Sequence, residues 1–179
     1  MKFHFLLVFS LLCVFSAQAQ ESSEAPVSAE RLKNELRVNL AYTLFEIAEI
    51  NYERLIGDEI GVGLAASYWF GDDYAITYMF NPYFRFYPVP SARAATFFIE
   101  GNAGIVGGVE HSYFHNEHGT WLPRNTDVVR GGAGVAAGAK FVSKGNFVAE
   151  AYLGLGRVFG DYNFTEVYPR LGLTFGKRF

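Results

Sequence analysis

From Asn34 to Phe179 the chain repeats one pattern, apolar and non-apolar residues in alternation, broken by turns and loops. A spacing of two puts successive side chains on opposite faces of an extended strand, so the repeat predicts an all-β fold. Eight segments carry it. The first, about Asn34–Tyr42, sets Leu36, Val38, Leu40 and Tyr42 against Glu35, Arg37 and Asn39. The second, about Ala48–Leu55, sets Ile50 and Tyr52 against Glu49, Asn51 and Glu53. In the third, Ile60, Val62, Leu64, Ala66 and Tyr68 oppose Gly61, Gly63, Ala65 and Ser67. The fourth, about Tyr74–Tyr87, opposes Ile76, Tyr78, Phe80, Phe84 and Phe86 to Thr77, Asn81, Tyr83 and Arg85. Phe97, Ile99, Ala103 and Ile105 face away from Glu100, Asn102 and Gly104 in the fifth. The sixth and seventh carry Ala133–Phe141 and Phe147–Leu155 on alternate positions, against Lys140 and Glu150 among glycines. The eighth, Val167–Phe179, is apolar at Val167, Pro169, Leu171, Leu173, Phe175 and Phe179, with Lys177 the exception.

Period two alone does not say which face meets solvent. The non-apolar face is rich in Gly and Ala, which suits a narrow lumen better than a hydrated exterior, and its charges have both signs. The connections also alternate. Ile56–Asp58, Pro88–Arg93 and Ser143–Asn146 are short, whereas about Gly107–Asp127 and Phe159–Thr165 are longer. Short turns at one end and longer loops at the other are the habit of transmembrane barrels. The connections after the first and third segments are short, a departure from it. Tyr68, Trp69, Phe70, Tyr74 and Tyr78 gather near the loop end; Phe84, Phe86, Phe97, Phe141, Phe147 and Phe179 gather near the turn end. Aromatic rings at both rims suit the two interfaces of a bilayer. Lys177 falls near the turn end, where a lipid-facing charge costs only about 0–1 kcal/mol.

The closing strand, with Phe175 and a terminal Phe179, resembles the closing strand of a bacterial outer-membrane barrel and the signal read by the barrel-insertion machinery. The chain as a whole resembles the small outer-membrane barrels typified by OmpX and the membrane domain of OmpA. Within that group the match is closest to an uncharacterised eight-stranded family, on the Asn39-to-Tyr42 opening strand, Asn51-Tyr52-Glu53, and the glycines Gly132, Gly134 and Gly138. The resemblance implies an eight-stranded antiparallel up-and-down transmembrane barrel, apolar outside, with a polar, Gly-rich lumen. It carries no catalytic motif.

The N-terminus agrees. Lys2 precedes an apolar run from Phe5 to Phe15, and Ala17-Gln18-Ala19 is a small-x-small cleavage site, a secretory signal over residues 1–19. The run is too short for a spanning helix. Residues 20–32 read as a short flexible periplasmic leader and 33–179 as the barrel, with both termini periplasmic in the outer membrane of a Gram-negative cell. The single cysteine, Cys13, lies in the signal, so the processed chain has no disulfide. Formal charge is −3, and loss of Lys2 makes the processed chain one unit more acidic. Nucleic-acid binding needs a basic stripe and is excluded.

An eight-stranded barrel is just wide enough for side chains to fill it. The polar face therefore predicts a lumenal ion-pair network of Glu35, Arg37, Glu53, Arg85, Glu100, Lys140, Glu150 and Arg170. Folding the first hairpin about Phe45 places Arg37 opposite Glu53. Lys140 falls beside Glu150, and Arg85 falls diagonally from Glu100. The bland reading, the polar core of a closed plug, outweighs a gate or conduit.

The loop at 107–127 holds every histidine of the processed chain, His111, His115 and His118, with Glu110 and Glu117 beside them. Three imidazoles and a carboxylate could form an open zinc or copper site. Spacing in an irregular loop is weak evidence, and plain surface histidines are the better reading, so no metal or cofactor is expected. Tyr113, Phe114 and Trp121 add aromatics of the kind enriched at interfaces. These residues are the candidate contacts for a protein or surface partner, beside outer-membrane lipid itself. The sequence thus points to a non-enzymatic barrel acting structurally or through its surface loops. A lipid A-modifying enzyme is one alternative, although His111 and Ser112 are adjacent and would point to opposite faces of a strand. A narrow conduit for apolar or ionic solutes is the other.

Overall fold

The computed structural model describes residues 32–71, 74–89, 94–115, 121–160 and 165–179. The signal, almost all of the leader, His118 and Glu117 lie outside them. Eight strands run in chain order: β1 Asn34–Asn39, β2 Ile47–Ile56, β3 Ile60–Trp69, β4 Ile76–Phe86, β5 Ala95–His115, β6 Trp121–Val142, β7 Phe147–Val158 and β8 Val167–Arg178, with one helical turn, α1 Leu40–Thr43, after β1. Each strand pairs antiparallel with its sequence neighbours and β1 pairs with β8, which closes the sheet into a barrel. Closure leaves no sheet edge along the paired length, the condition for backbone to survive in hydrocarbon. The short turns rest on local geometry: Gly57 at φ +71° turns β2 into β3, and Asn146 at φ +61° turns β6 into β7.

The apolar face points outward. Leu153, Phe97 and Leu155 are 71%, 69% and 65% exposed, while Glu53, Arg85, Glu100 and Lys140 are 0% exposed. That is the reverse of a water-soluble sheet protein, where exposed apolar surface is limited. Lys177, an outward cation on β8, is half-buried and sits 5.9 Å from the centre of the Phe147 ring.

Several expectations need correction at the loop end. β1 stops at Asn39, and the helical turn that follows advances about 100° per residue in place of 180°. Tyr42 is thereby swung into the lumen, where it is buried, and is absent from the outer face. Trp69 also points inward as the last residue of β3 and is not part of the aromatic rim. β4 begins at Ile76, not Tyr74, and a register shift between Ile76 and Tyr78 turns Ile76 inside. The described residues of the segment 107–127 do not form an irregular loop. β5 and β6 stay paired from Val109↔Asp127 to His115↔Trp121, beyond the point where β4 joins at Ile76↔Gly108. The result is a two-stranded ribbon projecting about 20 Å past its neighbours, at ~3.4 Å per residue.

Candidate functional site: the barrel lumen

The lumen is layered along its axis. Its middle and turn-end part holds five carboxylates, Glu35, Glu49, Glu53, Glu100 and Glu150, and five cations, Arg37, Arg85, Lys140, Arg170 and Arg178, all buried. The set is neutral as a whole. Each member comes from the inward parity of its strand, so all eight residues named from the sequence lie in one connected cluster.

Its centre is a knot of three glutamates. Glu35, Glu53 and Glu150 bring carboxylate oxygens within 4.8 Å of one another, an arrangement that could hold a metal ion. The Lys140 ammonium already sits there, 2.8 Å from Glu35, 3.1 Å from Glu53 and 3.1 Å from Glu150. A protein cation thus fills the place a metal would take. Arg37 reaches Glu35, Glu53 at 2.8 Å and Glu150 at 3.2 Å. Arg85 spans the other side, donating to Glu53 at 2.7 Å, Glu150 at 3.0 Å and Glu100 at 2.8 Å. Arg170 continues the chain from Glu100 at 2.8 Å to the Tyr152 hydroxyl at 3.1 Å. The guanidinium of Arg85 also lies 4.0 Å from the Phe98 ring centre, a cation–π contact in a desolvated setting.

The register differs from expectation in two places. Arg37 stands opposite Asn51, and Glu35 opposite Glu53, because α1 moves the fold of the first hairpin by one residue. Arg37 still reaches Glu53 diagonally. Arg85 stands directly opposite Glu100 and not diagonal to it. Lys140 is directly opposite Glu150.

Glu49, Asn39 and Arg178 belong to this lumen and were not named in the network. Glu49 accepts from Asn39 at 2.9 Å, Asn51 at 2.9 Å, Ser67 at 2.8 Å and the Tyr152 hydroxyl at 3.0 Å. Arg178 donates to Glu35 at 2.6 Å from the end of β8. Strand parity alone could have found all three, since each stands at an inward position of its strand.

Above the charged layer the lumen becomes apolar. Tyr42, Ile47, Trp69, Ile76, Met79, Val106, Val158 and Tyr168 form one buried cluster, drawn mostly from the loop-end residues of their strands. Room for Tyr168 comes from Gly156, where a methyl group would overlap the ring. At the turn end Leu55, Tyr87, Phe98 and Tyr152 form a smaller floor. The Tyr87 hydroxyl donates to Glu53 and joins the floor to the charged layer.

Of the loop candidates, Tyr113 is 70% exposed on the ribbon. His111, Phe114 and His115 lie on β5 and Trp121 begins β6. His111 and His115 stand four residues apart on β5, about 13 Å along extended backbone at ~3.4 Å per residue.

No family model matches the chain, and no curated protein matches it. Two solved structures share its fold. The N-terminal β-barrel domain of Pseudomonas aeruginosa OprF superposes with a TM-score of 0.56 at 11% identity, over 83% of this chain and 98% of that one. Neisserial surface protein A (NspA) gives a TM-score of 0.50 at 9% identity, over 82% of this chain and 95% of that one. An apolar exterior, a closed eight-stranded sheet and these two likenesses make the fold that of the small eight-stranded outer-membrane β-barrels.

Proposed function

We propose that the protein is a non-enzymatic outer-membrane barrel that acts structurally and through the β5–β6 ribbon, with a lumen closed by its own side chains. The observation that carries this reading is the layered lumen. Ten buried charges are mutually paired, and an apolar cluster lies across the loop end. Such a filling supports a wall and a platform more than a water-filled pore, which needs a wider barrel. Both termini face the periplasm in this reading, so the ribbon stands outside the cell, and Tyr113 and its neighbours are the surface offered to a partner.

Protease shaving of intact cells, with mass spectrometry locating the cuts, tests it. Cleavage confined to about residues 107–127 with the strands protected is the expected pattern. Cutting only after the outer membrane is permeabilised would remove the surface-platform reading. Extensive cutting within the strands of permeabilised cells would remove the membrane reading as well.

A further inference from the structure

The outer wall is hollowed where β6, β7 and β8 approach the loop end. Ala133 and Val135 of β6, Leu155 and Arg157 of β7 and Val167 of β8 line an open groove of about 510 Å³, with Glu166 at its edge. The register explains the hollow. Ala133 stands opposite Arg157, which stands opposite Val167; the next outward row is Val135, Leu155 and Pro169. Along the outward positions of β6, Gly131 and Ala133 separate the exposed Val129 from the exposed Val135, so the strand supplies little side chain between them. The Val158 N–H donates to the Glu166 carbonyl at 2.8 Å, which carries the β7–β8 pairing one residue past Arg157 and sets Glu166 beside it.

The groove lies at a defined depth. Arg157 is the next-to-last residue of β7, whose other end is Phe147 at the turn-end rim. At ~3.4 Å per residue and a tilt of about 40°, the rise between them is roughly 25 Å, the height of the apolar band of a membrane barrel. Hydrocarbon therefore gives way to headgroups near Arg157, and Leu155 lies on the hydrocarbon side. Both charges of the groove are exposed. Among the described residues neither the Arg157 nor the Glu166 side chain makes an ion pair or hydrogen bond, with the other or with a third group. A cation and an anion held apart over an apolar hollow are complementary to an amphiphile that carries both charges.

We propose that this groove binds one zwitterionic phospholipid of the surrounding membrane, with its phosphate on Arg157, its ammonium on Glu166 and the upper part of an acyl chain against Leu155, Val135 and Ala133. The chemistry selects the headgroup. The planar guanidinium fork matches two phosphate oxygens, and a carboxylate accepts hydrogen bonds from a primary ammonium. A quaternary ammonium has no N–H to donate, and a headgroup without an amine leaves Glu166 unanswered, so phosphatidylethanolamine fits best. The size of the groove lies in the range of small-molecule sites. The inference rests on the membrane reading above, and its test separates the two.

The protein is refolded into phosphatidylcholine vesicles and floated on a density gradient. Failure to float with the vesicles would overturn the membrane reading. Protein that floats is moved to detergent micelles holding equal amounts of phosphatidylethanolamine, phosphatidylcholine and phosphatidylglycerol with the same acyl chains, and its lipid adducts are read by native mass spectrometry. The expected result is a single phosphatidylethanolamine retained several-fold more than either competitor. Arg157→Gln should lower that adduct about tenfold, the loss of one charged hydrogen-bond pair. Ala133→Leu, which fills the hollow and leaves both charges in place, should lower it as well. Glu166→Gln should abolish the preference for phosphatidylethanolamine, whereas Lys177→Gln, an outward cation outside the groove, should leave it intact. Equal retention of the three lipids, a preference for phosphatidylglycerol, or an adduct indifferent to both Arg157→Gln and Ala133→Leu would overturn the site while leaving the barrel in its membrane. A lipid-free dimer lost in Ala133→Leu would overturn it too, by giving the groove to a second copy of the chain.

Discussion

The two halves of the lumen solve the same packing problem with opposite chemistry. In the lower half, long cationic side chains fill the space and glutamates compensate them, so that five positive charges meet five negative ones. In the upper half, Tyr42, Ile47, Trp69, Ile76, Met79, Val106, Val158 and Tyr168 fill it without charge. The difference follows the wall. Where the ladder is complete between β1 and β8, the interior is an ionic network that fixes each neighbour's position. Where side chains replace the ladder, Asn39 still meets Glu49 of the ionic network, and beyond Tyr42 the interior becomes apolar, with non-directional contacts. A charged layer has discrete partners and resists sliding, whereas an apolar cluster can repack. The barrel is therefore rigid in its lower half and adaptable in its upper half.

The sharpest way to break this contrast is to remove a central cation. Arg85→Ala strands Glu53, Glu150 and Glu100 without one of their shared donors, and loss of one partner from a buried pair costs about 3–5 kcal/mol. Urea unfolding of the refolded barrel should show that loss; an unchanged midpoint would mean the network is not the mechanical core. Arg37→Ala is expected to behave in the same way, for its contacts with Glu53 and Glu150.

In the upper half, Met79→Ala removes a fully buried side chain without orphaning a charge. A loss of about 2–3 kcal/mol is expected, at the low end of large-to-small core substitutions because the cluster can relax. A loss as great as that of Arg85→Ala, read in the same urea series, would abolish the distinction between the halves.

Arg85→Lys sharpens the comparison from the other side. It keeps the charge but loses the planar fork that serves three carboxylates, so about 1.5–3 kcal/mol should be lost. Full stability in that variant would show that net charge alone suffices in the lower lumen. The smallest effect belongs outside both halves. Arg130 and Glu110 pair at 3.4 Å at the base of the ribbon, with both side chains partly exposed. Glu110→Gln should change the unfolding midpoint by no more than about 1 kcal/mol equivalent, and less at high salt.

Alternation by itself determined that this chain forms strands, which residues of β2, β3, β5, β6, β7 and β8 face inward, and that charges of both signs share the lumen. Those are properties of a local period, readable wherever the backbone stays extended. Only the tertiary structure decided which charge meets which. Lys140 binds three glutamates from three different strands, and no linear spacing encodes a convergence across a barrel. Tertiary structure also decided the upper lumen. The helical turn at Leu40–Thr43 and the register shift near Ile76 reset the parity, so Tyr42 and Ile76 read as outward in sequence and stand inward in space. An apolar residue carries no mark of whether its apolar surroundings are lipid or lumen. At the loop end, where both are available, the path of the backbone chose between them.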